Sequence, residues 1–187
     1  MTTISVVKKD RLITIACDST ALLGTTVQNA NDVDNGGKII AYSGGYIAYC
    51  GHSSIGDCLE LYLQQFDDID FSSRSSIFKE SLRMFGYFKN ELYLNDVSAD
   101  CDFEELPFDL LIANKNGIFG LYSERSVSEY KAYYSLGTGY KFALGSMYTN
   151  YDDPKLTSQD IAVQSIGTAI HFDSETGGKI DVKTIVL

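Results

Sequence analysis

No run of apolar residues in this chain approaches the roughly 20 that a membrane-spanning helix needs, so no such span is expected. Positive charge is scarce: 15 lysines and arginines stand against 25 aspartates and glutamates, a formal charge of −10. A surface of that sign repels phosphate backbones and anionic lipid, which disfavours nucleic acid and membranes as partners. Histidine occurs only twice, and Cys17, Cys50, Cys58 and Cys101 follow no paired spacing. A disulfide framework is not indicated, and reduced, mostly buried thiols are the expectation. There is no tryptophan, internal repeat, low-complexity tract or linker. The opening Met1-Thr2-Thr3-Ile4-Ser5 has neither the basic region nor the apolar stretch of a signal peptide, and a cytoplasmic protein is expected.

What is present is the composition of an ordinary folded chain. Hydrophobic residues make up 44% and charged residues 21% of 187 positions, enough for one domain, 1–187, with a proper core. Alternating polarity from Thr2 to Lys8, a turn at Lys9-Asp10-Arg11 and a second apolar run from Leu12 to Cys17 predict an opening antiparallel hairpin. Residues 28–37 read as a polar loop ending in glycines. Ile39–Tyr42 and Tyr46–Cys50 flank Ser43-Gly44-Gly45 as a second hairpin.

A helix capped at Ser53 or Ser54 is predicted with Ile55, Leu59, Tyr62, Leu63 and Phe66 on its inner face. A second, from about Ser73 to Asn90, carries Phe78, Leu82, Phe85 and Phe88 or Lys89 as its stripe. The acidic stretch Asp96 to Glu105 reads as a loop. Phe108–Ala113 and Ile118–Tyr122 read as strands joined across Asn116-Gly117. A short helix is predicted over Phe142 to Tyr148. Another starts at the capping-box-like Thr157-Ser158-Gln159-Asp160, and a last strand runs from Lys179 to Val186. Strand runs interleaved with helix pairs predict an α+β fold, two stacked antiparallel sheets flanked by helices.

Thr2 is where the chemistry begins. A small residue at position 2 permits removal of Met1, leaving a threonine with both a hydroxyl and a free α-amine. An amine with a pKa of about 7.7–8.0 is a base suited to neutral pH and tethered to its own nucleophile. Sixteen residues later stands Asp18, in Ile15-Ala16-Cys17-Asp18-Ser19-Thr20. Further on come Lys38-Ile39-Ile40-Ala41-Tyr42, Gly51-His52-Ser53-Ser54, Ser135-Leu136-Gly137-Thr138-Gly139-Tyr140 and Phe172-Asp173-Ser174-Glu175-Thr176-Gly177-Gly178.

In these five elements, in this order, the sequence resembles the proteasome β-subunit family of N-terminal-nucleophile hydrolases, and within it the simple bacterial peptidase subunits. The resemblance covers essentially the whole chain and implies a four-layer αββα sandwich. It also implies a threonine peptidase in which Thr2 is the nucleophile and Asp18 orients a lysine. Direct count puts that lysine on Asp34; a four-residue insertion in the Asn29–Gly37 loop puts it on Lys38, which has the right strand after it. Thr138, Asp173 and Thr176 are implied to position the amine and a water, with threonine replacing the family's serine at two places and keeping the hydroxyl. The oxyanion donors fall at Gly51 or His52, spacing favouring the histidine and residue type the glycine. Ala21, Cys50, Ser54 and Cys58 are implied to line a small uncharged substrate cleft.

The resemblance implies no cofactor and no metal. It implies a homo-oligomeric ring whose enclosed sites receive unfolded polypeptide or peptide, with an ATP-dependent unfoldase as a partner to consider. Two other functions fit the same residues: an amidase acting on small molecules, and a catalytically inert structural homologue, which the displaced lysine and His52 beside the oxyanion position would favour. Simpler readings stand beside the catalytic one. Asp18 alone is a turn residue, and Lys38 alone a solvated strand-edge lysine. Cys50, His52 and Cys58 lack the second Cys/His pair of a structural zinc site, and Cys50 with His52 is too local for a nucleophilic pair. Gly137-Thr138-Gly139 has no phosphate-loop lysine. His171 reads as a packed core residue, and Asp32–Gly37 as a surface turn without the glutamate of a calcium loop.

Overall fold

The computed structural model describes residues 2–23, 26–28, 37–94 and 105–187. In chain order the strands and helices are β1 (Thr3–Lys9), β2 (Leu12–Asp18), β3 (Ala21–Leu23), β4 (Thr26–Gln28), β5 (Ile39–Tyr42) and β6 (Gly45–Gly51). Then come α1 (Ser54–Gln65), α2 (Arg74–Asn90), β7 (Phe108–Asn114), β8 (Gly117–Leu121), β9 (Val127–Tyr130), β10 (Tyr133–Gly137), α3 (Tyr140–Asn150), α4 (Ser158–Phe172) and β11 (Ile180–Val186). One antiparallel sheet has the order β10-β1-β2-β11 and the other β5-β6-β7-β8-β9, with β3-β4 as a separate hairpin.

Strand alternation explains why there are four layers. Along β1 and β2, Ile4, Val6, Ile13, Ile15 and Cys17 point at Ile39, Ala48, Leu111, Ala113 and Ile118 of the other sheet. Their neighbours Val7 and Ala16 point the opposite way, against Ala143, Met147, Ile161 and Ile166 of α3 and α4. Along β7, Leu110 and Ile112 do the same on the far side, meeting Ile55, Leu59, Ile77 and Phe88 of α1 and α2. Strands buried on both faces need helices outside and a sheet inside. Each fully buried aliphatic or aromatic side chain contributes about 1.5–3 kcal/mol to this stacking.

The predicted hairpins form, and so does the capping box: the Thr157 side chain accepts from the Asp160 N–H, and the Asp160 carboxylate accepts from the Thr157 N–H. At α1 the cap is Ser53, without a side-chain bond. The turn between β7 and β8 is Lys115-Asn116, held by the Asn114 side chain, which accepts the Asn116 N–H at 2.8 Å.

Some expectations need correction. The inner face of α2 is Ile77, Ser81, Met84, Phe85 and Phe88, whereas Phe78 and Leu82 are 46% and 50% exposed. The inner face also holds Glu80, which pairs with Arg83 and accepts from the Tyr62 hydroxyl. A buried carboxylate rotated the true face away from the one that hydrophobicity marks. His171 is exposed and lies edge-on to Phe172, because α4 turns its last residues away from the sheet. Strands β3, β4, β9 and β10 had no clear signal, each being only three to five residues long. Cys101, most of the 28–37 loop with its Asp32–Gly37 turn, and all but the last residue of the acidic stretch lie outside the described residues.

Candidate active site

The hairpin register brings the end of β2 back to the start of β1. Ile4 pairs with Cys17, so Asp18 comes to lie beside Thr3 and accepts its N–H at 2.9 Å through Oδ1. Lys38, entering β5 on the other sheet, donates from Nζ to the same oxygen at 2.9 Å and to the Thr20 carbonyl at 2.6 Å. Oδ2 accepts the N–H groups of Thr20 at 3.2 Å and Gly177 at 3.1 Å. Asp18 is fully buried and the Lys38 side chain 13% exposed. An ammonium and three backbone donors surround the carboxylate and offset the cost of burying it.

A second arrangement closes on the first residues from β10 and α4. The Thr138 N–H donates to the Thr2 carbonyl at 3.0 Å. Gly137, paired with Thr3, has φ of +96°, and a Cβ there would stand 1.7 Å from that carbonyl oxygen. Only glycine permits both the backbone conformation and the approach. At Gly139 a Cβ would meet Thr3 Oγ1 at 2.6 Å and Ala169 Cβ at 2.9 Å, while its N–H donates to Thr3 Oγ1 at 3.0 Å.

Asp173 caps the C-terminal end of α4, and its Oδ2 accepts the hydroxyls of Thr138 at 2.6 Å and Thr176 at 2.5 Å. Burial pushes this carboxyl up, but those two hydroxyls and the Glu175 N–H prevail and hold it below the usual carboxylate range. Thr176 Oγ1 also lies 2.6 Å from Thr3 Oγ1. Thr3 therefore touches both groups. The sequence reading missed it, although the Thr2-Thr3 doublet places a hydroxyl on the helix-facing side of β1.

A cavity of about 740 Å³ opens beside Thr2, with Cys50, Gly51, Asp109, Thr138 and Tyr140 in its wall. Of the sequence candidates for binding and for the oxyanion, Cys50 and Gly51 line it. Ala21, His52, Ser54 and Cys58 are not among its described lining residues. His52 and Ser54 are engaged with each other, the Ser54 N–H donating to His52 Nδ1 at 3.3 Å, and Cys58 packs against the α1–α2 core. Burial pushes the Cys50 and Cys17 thiols up to about 12, so neither is a ready nucleophile near neutral pH. Among the described residues, no cluster of three or more His, Cys, Asp or Glu side chains forms a metal site. Likewise no helix among them is long and apolar enough to cross a membrane.

Two antiparallel sheets between helix pairs, with Thr2, just ahead of the first strand, in the wall of an open cavity, define the N-terminal-nucleophile hydrolase fold. No protein-family model matches the chain. It is nevertheless similar in structure to the proteasome homologue BPH of Thiobacillus denitrificans, at 32% identity and TM-score 0.93, covering 99% of this chain and 98% of that one. The same protein in complex with epoxomicin matches with TM-score 0.92 at the same identity and coverage. The proteasome subunit beta of Nanoarchaeum equitans (strain Kin4-M) is 27% identical over 203 aligned residues, 99% of this chain and 93% of that protein. Eukaryotic HslV from Trypanosoma brucei, at 15% identity and TM-score 0.71 over 99% of each chain, shares the fold. The chain belongs to the proteasome β-subunit-like family of N-terminal-nucleophile hydrolases.

Proposed function

We propose that this protein is a threonine-type endopeptidase in which removal of Met1 exposes Thr2 as nucleophile. The observation that carries this is the buried Asp18–Lys38 pair, in direct contact with the residue after Thr2. Thr2 Oγ1 attacks the scissile carbonyl while its own α-amine, directly or through a water, takes the hydroxyl proton. The Lys38 ammonium lowers the amine's proton affinity by like-charge repulsion and favours the developing alkoxide. The Gly51 N–H, on the cavity wall with Thr2, donates to the tetrahedral oxyanion. Collapse passes the proton to the leaving amine and forms an ester on Thr2. Water, activated by the same amine, then hydrolyses that ester and restores the threonine. Thr138, Asp173 and Thr176 hold the amine and water in place.

The similarity to BPH in complex with epoxomicin supports this reading. The family also supports a homo-oligomeric ring in which unfolded polypeptide reaches enclosed sites, with an ATP-driven unfoldase as the partner to seek. Intact mass of the native protein before and after epoxomicin tests the chemistry. The expected result is loss of Met1 and one adduct per chain, absent in Thr2→Ala, together with turnover of casein. A Met-free chain that takes no adduct and cleaves neither casein nor short peptides overturns the assignment.

A further inference from the structure

Each hydroxyl in the network around Asp173 has one proton to give, and that makes its direction readable. The Asp173 carboxylate accepts at Oδ2 from Thr138 and from Thr176. With its proton committed to Asp173, Thr176 is the acceptor in its 2.6 Å contact with Thr3. Thr3 is then the donor, and its remaining lone pair takes the Gly139 N–H. The order runs Gly139 N–H to Thr3, Thr3 O–H to Thr176, Thr176 O–H to Asp173. Reversing any link leaves two hydrogens facing one another or an oxygen without a donor.

We propose that Thr3 is a positioning residue for the reaction, the anchor that ties the Thr2 peptide to Asp173. This rests on the peptidase reading given above. The peptide plane joining Thr2 to Thr3 is held at both polar groups, the Thr2 carbonyl by the Thr138 N–H and the Thr3 N–H by Asp18. Two such bonds define an axis but leave rotation about it. The Thr3 side chain, fully buried and bonded off that axis, removes the rotation. What Thr2 keeps is the torsions that aim its amine and hydroxyl. Thr3 touches neither substrate nor the reacting atoms; it acts through Thr2.

The test compares Thr3→Val, which keeps the shape and the strand preference but has no hydroxyl, with Thr3→Ser, which keeps the hydroxyl. Both are measured as full chains freed of Met1, on a fluorogenic peptide and by the rate of epoxomicin labelling read as intact mass. Thr3→Val should lose about 10–100-fold in kcat with KM within threefold, the size of effect expected when a reacting group is misplaced by a fraction of an ångström to an ångström. Thr3→Ser should return kcat to within threefold of wild type. Wild-type kcat in Thr3→Val, or equal impairment in both variants, overturns the assignment by showing that the hydroxyl is idle or that only packing matters. If Thr3→Val does not fold, Thr3→Ser decides alone, with a loss of tenfold or more counting against the proposal. A wild-type chain that neither cleaves nor labels removes the peptidase reading and this role with it, whereas an active wild type with an unaffected Thr3→Val removes only this role.

Discussion

Lys38 reaches across from one sheet to place its ammonium 2.9 Å from Asp18 of the other, in a pair from which Asp18 has no exposure to solvent. The two ends are not equivalent. Asp18 retains the N–H groups of Thr3, Thr20 and Gly177 if the lysine is lost. Removing Asp18 takes the acceptor from those three donors and the counter-charge from an ammonium that keeps its bond to the Thr20 carbonyl.

Asp18→Ala is therefore expected to destabilise the fold by about 3–5 kcal/mol, the range for breaking a buried pair from one side. Lys38→Met should cost distinctly less, while both abolish peptidase activity. Urea unfolding of the two variants checks the order, and equal losses would contradict it.

Gly137→Ala is expected to fail outright, as insoluble protein or with a loss beyond about 4 kcal/mol, because the new Cβ meets the Thr2 carbonyl in a positive-φ conformation. Gly145, exposed within α3 with nothing near its missing Cβ, is the control. Gly145→Ala should gain up to about 1 kcal/mol. Thermal unfolding of both, side by side, decides whether close approach or glycine content matters.

Asp173 sits below the usual carboxylate range, so its ionised form is favoured by folding. That contribution is complete above the unfolded value of about 3.9 and disappears as pH falls through the lower folded-state value. The stability difference between wild type and Asp173→Asn should be constant above about pH 5 and shrink below about pH 4. A difference unchanged down to pH 3, by urea titration at each pH, would show that the Thr138 and Thr176 bonds do not depend on the charge.

Asp109 titrates the other way. Burial, opposed by the Ser123 N–H and reinforced by Glu124 and Glu105, pushes its carboxyl up. Its ionisation works against folding, and stability falls as pH rises through the raised value. Asp109→Asn keeps an acceptor for the Ser123 N–H, now at 2.9 Å, and removes the charge. It should raise Tm at pH 7.5, with the gain fading toward pH 4. No gain at pH 7.5 would contradict the direction.

Much of this architecture is legible in the chain because the forces behind it are local. Antiparallel pairing across the tight turn at Asp10-Arg11 brings Asp18 to the start of β1 whatever lies elsewhere. The Gly137-Thr138-Gly139 and Gly177-Gly178 turns stand out because side chains at Gly137 and Gly139 would collide with the first residues. On α2 the expected Phe85 and Phe88 face inward but Phe78 and Leu82 do not, while Glu80, a polar letter in the sequence, is buried beside Arg83 and Tyr62. No periodicity shows that pairing.

By itself, then, the sequence determined the class: a threonine ahead of a short hairpin, an aspartate sixteen positions on and two hydroxyl-bearing glycine turns, all set by spacing along one strand pair or within one turn. Spacing reached Lys38 only by way of a four-residue insertion, and it is the tertiary structure that brings the ammonium onto Asp18, since loop length between sheets has no fixed register. It alone brought Asp109 and Tyr140 to the Thr2 cavity and enclosed Thr3 between Gly139 and Thr176. Those placements bring the first residues to positions more than a hundred away in sequence, and such proximity arises from packing sheets and helices together, not from any pattern along the chain.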